Sequence, residues 1–436
     1  MTGPSFRSTR SPDQMGVPFR EALLRGLAPD GGLYYPDSIP QLEPSWEHES
    51  RFEALASQVL HLWLAEAMPE RKLVERVEEA LHFPVPLVDL PGDCYLLELF
   101  HGPTLSFKDF GARVMARLMS YFLEQLHSHR TILVATSGDT GSAVADGFSG
   151  QENIDVVLLY PQGMVSRVQE RQLIVARPGV RAFAVDGTFD DCQRLVKNVL
   201  ADRDLFHLGL SSANSINIGR LLPQTLYYLW GARVAAMREV SSLNVCVPCG
   251  NLGNLTGGVL ASLMGLPIKR FLAAHNANDY FPKYLHGRVA PFAFESTVAT
   301  LSNAMDVGSP SNFERLYTLL KDRMRDEMWG VSVDDDATLG RIKQTYEEAG
   351  VIVCPHTAVG LEAVARYRQE TGDMTPTMVL ATAHPAKFPE VIQQALHREP
   401  PRSEVLDALW SLPTSVESLE PKPKALQKIL EQGIPL

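Results

Sequence analysis

The stretch TILVATSGDTGSAVADGF, residues 131–148, decides the fold class of this chain. It begins with a short apolar run, turns at the glycine-rich segment TSGDTG, and continues with the spacing of a helix. The same order recurs in IDVVLLY with SRVQERQLIVA, in VRAFAVDG with TFDDCQRLVKNVL, and in LNVCVPCG with NLGNLTGGVLASLMG. This alternation predicts an α/β fold in which parallel strands are joined by crossover helices.

The regions around this alternation suggest three units, since 436 residues exceed the size at which single cores stop growing, roughly 250–300 residues. Amphipathic spacing in VPFREALLRGLA and in residues 51–81 predicts a mainly helical N-terminal segment, 1–97. A smaller α/β domain is expected over 98–235. A larger α/β domain over 236–436 would contain an inserted region near 276–340, which is rich in Asn, Pro and Asp.

The composition limits the function. A hydrophobic share of 45% and a charged share of 21% are typical of a soluble globular protein. The net charge of −11 disfavours binding to nucleic acid or to a membrane surface, which requires clustered positive charge. The chain has no apolar run of the roughly 18 residues needed to cross a bilayer, and its start lacks an apolar signal segment. A cytoplasmic location follows as the default, while monomer and homodimer both stay open.

The cysteines predict neither a disulfide framework nor a metal centre. The chain has 5 cysteines, an odd number spread over a large sequence. Cys246 and Cys249 form a CxxC motif, but no second CxxC or His pair accompanies it. We therefore interpret them as free, buried thiols and predict no metal site.

The loop GNLGN, residues 250–254, follows an apolar strand and precedes a helix of small residues. Gly250 and Gly253 allow the backbone to approach a ligand closely, and the helix dipole adds positive potential. The loop fits neither GxGxxG nor a P-loop ending in GK[ST], so a single phosphate is favoured over a dinucleotide. A tight turn without a ligand is the alternative.

The turn TSGDTGSA, residues 136–143, is a second candidate site, because it also follows a strand and opens a helix. Thr136, Ser137, Asp139 and Thr140 could surround a small charged ligand there. Taken alone, helix capping by Ser137 or Asp139 explains the pattern as well.

The third candidate is NSINIGR, residues 214–220, at the start of another helix. Arg220 beside the amide and hydroxyl groups of Ser215 and Asn217 would clamp a phosphate or carboxylate, because the guanidinium offers paired N–H groups. The alternative is an arginine on a solvated face, paired with a carboxylate.

Lys108 in HGPTLSFKDFGA, residues 101–112, lies where a long apolar helix begins. A partly desolvated amine at a helix N-terminus has its charged form disfavoured twice, so its pKa should fall and its nitrogen should become nucleophilic. A surface lysine that extends into water is the ordinary alternative. Together with a single-phosphate loop, Lys108 points to pyridoxal phosphate, whose aldehyde binds a lysine.

Eight segments in the same order resemble the threonine synthase family, in its bacterial and fungal form. They are EALLRGLAPDGGLYYP, HGPTLSFKDFGA, TSGDTGSA, SANSINIGR, VPCGNLGN, SNAMDVGSPSNFERL, CPHTAVG and LATAHPAKFP. The resemblance implies a pyridoxal-phosphate fold of type II, the tryptophan synthase β-like class, with parallel or mixed sheets and flanking helices. It also implies a lyase that converts O-phosphohomoserine and water to threonine and phosphate.

The resemblance also implies roles for single residues. Lys108, next to Phe107, would form the Schiff base and move protons at the substrate carbons. Thr382 in LATAHP would face the pyridine nitrogen. The residues implied to hold the cofactor phosphate are Gly250, Asn251, Leu252, Gly253 and Asn254; those implied to bind the substrate are Thr136, Ser137, Asp139, Thr140, Ser215, Asn217 and Arg220.

Two other readings stay open at this point. One is a related pyridoxal-phosphate enzyme, such as a serine or threonine dehydratase or another phospho-lyase. Because a dehydratase has no substrate phosphate to hold, the clamp centred on Arg220 separates it from the family above. The other reading is a protein that has the fold without activity.

Overall fold

The computed structural model describes residues 3–64 and 67–432. The strands are β1 (Phe6–Ser8), β2 (Tyr34–Pro36), β3 (Leu87–Leu90), β4 (Cys94–Glu98), β5 (Arg130–Ala135), β6 (Ile154–Pro161), β7 (Val180–Val185), β8 (Leu210–Ser212), β9 (Asn244–Pro248), β10 (Arg270–His275), β11 (Met328–Ser332), β12 (Thr377–Ala381) and β13 (Glu417–Leu419). The α-helices are α1 (Phe19–Arg25), α2 (Phe52–Leu64), α3 (Glu70–Ala80), α4 (Lys108–Leu126), α5 (Asp139–Phe148), α6 (Arg167–Ile174), α7 (Phe189–Ala201), α8 (Ile218–Leu221), α9 (Thr225–Ala236), α10 (Gly253–Leu263), α11 (Tyr280–Leu285), α12 (Phe313–Leu320), α13 (Arg323–Glu327), α14 (Asp335–Ala349), α15 (Pro355–Thr371), α16 (Pro389–Leu396), α17 (Glu404–Leu409) and α18 (Pro423–Glu431). Short 3-10 helices lie at Pro44–His48, Arg203–Leu208, Leu222–Gln224, Asn303–Met305 and Pro385–Lys387.

The larger sheet has six strands in the order β11-β10-β9-β12-β4-β3. Its strands are parallel except for β3, which pairs with β4 in the antiparallel sense. The central strand β9 is buried along its whole length, as are β12 and most of β10. Such continuous burial is what a parallel sheet covered by helices on both faces requires.

The smaller sheet has five parallel strands in the order β13-β7-β6-β5-β8. Each predicted strand-turn-helix unit between residues 130 and 201 is present, from β5 with α5 to β7 with α7. The predicted α/β fold class with parallel and mixed sheets is therefore confirmed.

The N-terminal helices pack on the elements that carry the sheets. α3 contacts α4, and α2 contacts α9. At this junction the ring of Phe52 lies 5.8 Å from that of Phe110 and 5.7 Å from that of Trp230, both in edge-to-face contact. Buried aromatic side chains of this kind join the segment to the core of the protein.

Sheet membership differs from the predicted units at three places. β3 and all but the last residue of β4 lie within residues 1–97 but belong to the larger sheet, and β11 lies inside the predicted insertion but forms that sheet's edge. β13, near the C-terminus, completes the smaller sheet by pairing with β7. Of these strands, β3, β11 and β13 are short and partly exposed, so their local sequences carry little signal of a buried strand.

Two further predictions concern composition. The five cysteines, including Cys246 in β9 and Cys249 just after it, are free and buried, as predicted. Within the described part of the chain, we find no helix with the length and apolar character needed to cross a membrane.

Candidate active site

The site lies where the carboxyl ends of both sheets face each other, as is usual for ligands on parallel sheets. Strands β4, β5, β8, β9 and β12 each end at a loop that supplies residues to one cavity between the sheets. The side chains and loops of this cavity therefore come from distant parts of the sequence.

Lys108 is the first residue of α4 and faces this cavity. Its side chain is 13% exposed, and Nζ lies 4.0 Å from Asp139 Oδ2 and 5.8 Å from the centroid of the Phe107 ring. Burial lowers the pKa of the Lys108 amine to about 8; Asp139 opposes this shift, while Lys387 and Arg220 add to it. At neutral pH about a tenth of the amine is therefore uncharged and nucleophilic, far more than for an exposed lysine.

The turn before α4 fixes the position of Lys108. The carboxylate of Asp109 accepts hydrogen bonds from the backbone N–H of Thr104 at 2.8 Å and from its hydroxyl at 2.5 Å. The backbone N–H of Phe107 donates to the carbonyl of Thr382 at 2.9 Å. Lys108 and Thr382, both predicted cofactor residues, thus lie on adjacent backbone segments at the cavity wall.

The loop 250–254 presents backbone donors without any basic side chain. α10 begins at Gly253, and its N-cap residue Leu252 has φ 60° and makes no side-chain capping bond. The first-turn N–H groups of α10 therefore lack an acceptor from the helix itself. The left-handed residue is Leu252 rather than either glycine, while Gly250 is required for space, because a Cβ there would lie 2.9 Å from Met305 Cα.

Asn254 adds a side-chain donor to this loop. Its Oδ1 accepts from the hydroxyls of Tyr227 and Tyr228, each at 2.7 Å, while its Nδ2 is buried without a hydrogen-bond partner. A buried amide with an unpaired donor is costly, so it indicates a missing acceptor. Together with the uncapped start of α10, this donor fits the phosphate of a bound cofactor.

Arg220 also lines the cavity. It is 3% exposed, its Nη1 donates to the carbonyl of Ala213 at 2.8 Å, and its Nε is buried without a partner. Burial lowers the pKa of the guanidinium to about 10, although Asp109 and Tyr227 oppose the shift. Arg220 therefore stays positive at neutral pH and keeps donors for an anion.

Most of the predicted site residues line this one cavity. They are Phe107, Lys108, Ser137, Asp139, Thr140, Ser215, Arg220, Gly250, Asn251, Leu252, Gly253, Asn254 and Thr382. Asn251 Nδ2 donates to Ser215 Oγ at 2.6 Å, so the phosphate loop and the Arg220 segment are joined directly.

Two predicted substrate ligands, Thr136 and Asn217, do not line the cavity. The hydroxyl of Thr136 accepts from the N–H groups of Gly138 and Gly141, which shapes the turn before α5. Asn217 caps α8 through Oδ1 and donates from Nδ2 to the carbonyls of Leu23 and Ser212. Both side chains bond within the protein, so we propose that both residues support the site rather than contact a ligand.

Asp139 forms an ion pair with Lys387 that the sequence did not indicate. Its Oδ1 accepts from Lys387 Nζ at 2.7 Å and from Gln169 Nε2 at 3.0 Å. Although burial raises the pKa of Asp139, Lys387 and Lys108 outweigh burial and hold it well below its usual range. Asp139 is therefore an anion that faces two lysines, which makes it a poor ligand for a substrate phosphate.

His356 and Lys387 are site residues that sequence reasoning missed. Burial lowers the pKa of His356 to about 4, and its Nε2 accepts from the N–H of Ala304 at 3.1 Å. This bond holds the segment at 304–307 over the cavity. Both residues lie inside conspicuous segments, CPHTAVG and LATAHPAKFP, but no spacing in the sequence connects them to Asp139.

Comparisons with known proteins agree with this geometry. The family described as "Pyridoxal-phosphate dependent enzyme" matches residues 79–383. The families "Threonine synthase N terminus" and "Threonine synthase, C-terminal" match residues 5–81 and 357–430. Threonine synthase from Serratia marcescens is 41% identical over 426 residues, which cover 96% of this chain and 97% of that protein.

Solved structures are similar over the whole chain. The crystal structure of threonine synthase from Escherichia coli has a TM-score of 0.90 at 37% identity, with 99% of this chain and 100% of that chain covered. The structure of pyridoxal-phosphate-bound threonine synthase from Brucella melitensis has a TM-score of 0.91 at 33% identity, with 99% of each chain covered.

Fold, site and family match together define a pyridoxal-phosphate-dependent enzyme. Both terminal families and the full-length relatives narrow this class further. The chain belongs to the threonine synthase family. The predicted cofactor, pyridoxal phosphate, and the predicted lyase class are thereby confirmed.

Proposed function

We propose that this enzyme converts O-phosphohomoserine and water to threonine and phosphate. The observation that carries the substrate assignment is the presence of two separate anion sites in one cavity, the loop 250–254 and the buried Arg220. A cofactor phosphate needs only one of them. The second site suits a substrate that carries its own phosphate.

Pyridoxal phosphate, when bound, supplies an electron sink that makes protons next to the substrate amino group removable. Lys108 would hold the cofactor and, once displaced by substrate, would carry protons between the substrate carbons. The pKa of about 8 keeps both protonation states of this amine accessible near neutral pH, as acid and base work requires.

The remaining residues would bind and orient the cofactor and the substrate. The first-turn N–H groups of α10 and Asn254 Nδ2 would hold the cofactor phosphate, and the hydroxyl of Thr382 would lie against the ring. Arg220, with the hydroxyls of Ser137, Thr140 and Ser215, would bind the substrate phosphate and retain it after the bond to carbon breaks. The segment at 304–307 would limit access of bulk water.

Product analysis tests this proposal. The purified enzyme should release inorganic phosphate from O-phosphohomoserine and form an equal amount of threonine. It should release little ammonia from serine or threonine. Ammonia from serine without phosphate release from O-phosphohomoserine would reject the proposed substrate in favour of a dehydratase.

The location and the oligomeric state stay predictions. We expect a cytoplasmic enzyme that is a monomer or a homodimer. Sedimentation of the purified protein distinguishes these two states.

A further inference from the structure

Lys387 is a second lysine at the site, and its side chain has no exposed surface. It ends the 3-10 helix Pro385–Lys387, a few residues after Thr382. Its Nζ donates to Asp139 Oδ1 at 2.7 Å and to the carbonyl of Thr104 at 2.9 Å. The ammonium thus connects the start of α5 with the turn that precedes Lys108.

A buried ion pair of this kind is an expensive feature. Removing an ammonium and a carboxylate from water costs several kcal/mol per ion, and an apolar pair of similar size is often as stable. The pair joins two loops that also carry cavity residues, and its carboxylate is only 4% exposed. Its position beside Lys108 therefore suggests a role in the chemistry rather than in stability alone.

The hydrogen bonds fix how Asp139 faces Lys108. Oδ1 is held by Lys387 and by Gln169 Nε2, which leaves Oδ2 directed at Lys108 Nζ, 4.0 Å away. Without Lys387, an unbalanced carboxylate beside Lys108 would favour the ammonium form of that lysine. With Lys387, the negative charge is largely offset.

We propose that Lys387 is a positioning residue: it neutralises and orients Asp139 so that the Lys108 amine is readily deprotonated. This inference rests on the proposed role of Lys108 as the cofactor lysine. Lys387 acts on Lys108 through charge, without exchanging a proton with the substrate.

The other charged groups at the site fit this arrangement. Arg220, which lines the same cavity, disfavours a charged Lys108, whereas Asp139 favours it. His356 is neutral near pH 7, because burial lowers its pKa to about 4. Asp109 and His384 also interact with the charge of Lys387; burial raises the pKa of Asp109 to about 6 and lowers that of His384 to about 4.

The test measures the protonation of Lys108 directly. Apo-enzyme is mixed with pyridoxal phosphate at a series of pH values, and the initial rate of cofactor capture is followed by absorbance. Only the uncharged amine reacts, so the midpoint of the rate against pH reports the pKa of Lys108. Titration of free pyridoxal phosphate is common to all variants and cancels when midpoints are compared.

Opposite shifts are expected for the two partners. Lys387→Met should raise the midpoint by about one pH unit, since a repelling cation is removed and Asp139 is left unbalanced; one unit corresponds to about 1.4 kcal/mol. Asp139→Asn should lower the midpoint, because the attracting anion is removed. The double variant Asp139→Asn with Lys387→Met should lie between Asp139→Asn and the wild type.

Controls keep the test decisive. Lys269 forms a lysine-aspartate pair with Asp373 at 3.0 Å, is half-exposed and lies outside the cavity, so Lys269→Met should leave the midpoint unchanged. If Lys387→Met fails to fold, the double variant still carries the test, because it buries no unpaired charge. A double variant whose midpoint equals that of Asp139→Asn would overturn the proposal, as would an unchanged midpoint in folded Lys387→Met.

This outcome is distinguishable from failure of the proposed function. If wild-type enzyme captures the cofactor on Lys108 yet releases no phosphate from O-phosphohomoserine, the substrate assignment fails and the role of Lys387 stands. If phosphate is released but the midpoints do not change when Lys387 is replaced, the proposed role of Lys387 fails and the substrate assignment stands.

Discussion

The two proposed anion sites of this enzyme would bind negative charge by different means. The loop 250–254, on the larger sheet, offers backbone N–H groups at the uncapped start of α10 and the unpaired Nδ2 of Asn254. The segment ending at Arg220, beside the smaller sheet, offers a buried guanidinium. One site has no cation within its own loop, whereas the other is built around one.

The difference follows from what each site has to hold. In the proposed function a resident cofactor is also attached through Lys108, so its phosphate would need shape and hydrogen bonds more than net charge. A substrate must be drawn from water and recognised each time, and a buried cation supplies long-range attraction and strong charge-assisted bonds. We therefore expect damage to the Arg220 site to affect substrate first, and damage to the loop 250–254 to affect cofactor first.

Arg220→Ala should have the largest effect. Loss of a buried charged partner costs about 2–5 kcal/mol, so we expect kcat/KM to fall by a factor between about thirty and a few thousand. Cofactor content, read from absorbance, should stay at the wild-type level. Arg194→Ala, which removes an exposed arginine on α7, serves as the control and should change neither quantity. Loss of bound cofactor in Arg220→Ala would contradict the division between the two sites.

Gly250→Ala should affect the other site. Its Cβ would meet the backbone of Met305, and crowding of this kind costs about 1–3 kcal/mol, so cofactor should bind roughly tenfold to a hundredfold more weakly. Excess cofactor should restore most of the activity. Gly340→Ala in α14 is the matched control, because nothing lies within 4 Å of the added Cβ. An unchanged cofactor Kd in Gly250→Ala would show that the loop does not hold the cofactor.

Asn217→Ala should have the smallest effect on catalysis. It removes the cap of α8 and leaves the carbonyls of Leu23 and Ser212 without their donor, so unfolding free energy should fall by about 2 kcal/mol. KM at low temperature should change less than threefold. Ser403→Ala, which removes an intermediate-exposure cap of α17 outside the cavity, should cost less. A large rise in KM for Asn217→Ala would restore its predicted role as a substrate ligand.

Much of the fold was predictable because the central strands have a clear sequence pattern. Buried parallel strands such as β5, β6 and β9 are continuous apolar runs followed by polar turns and helices. β11 and β13 are short edge strands whose pairing depends on distant partners, so their local sequences carry little signal. β13 also lies far along the chain from the other strands of the smaller sheet, so its position in the sequence does not indicate that it pairs with β7.

The site was predictable in part for a similar reason. Lys108, Arg220 and the loop 250–254 lie at helix starts after strands, where local sequence indicates ligand binding. Thr136 and Asn217 lie in the same kind of position, but their side chains make hydrogen bonds to backbone groups of the protein. The sequence does not indicate these bonds, because it does not show which way a side chain points. Lys387 was missed because its importance comes from Asp139, a partner on another sheet.

We propose that Lys108, which is partly exposed to the cavity, holds the cofactor, and that the fully buried Lys387 does not. Borohydride reduction of the wild-type holoenzyme fixes pyridoxal phosphate to its lysine, and peptide mass spectrometry then locates the modified residue. We predict that the added mass lies on Lys108 in the peptide containing HGPTLSFKDFGA. Modification of Lys387 instead, with Lys108 unlabelled, would contradict the assignment of both lysines.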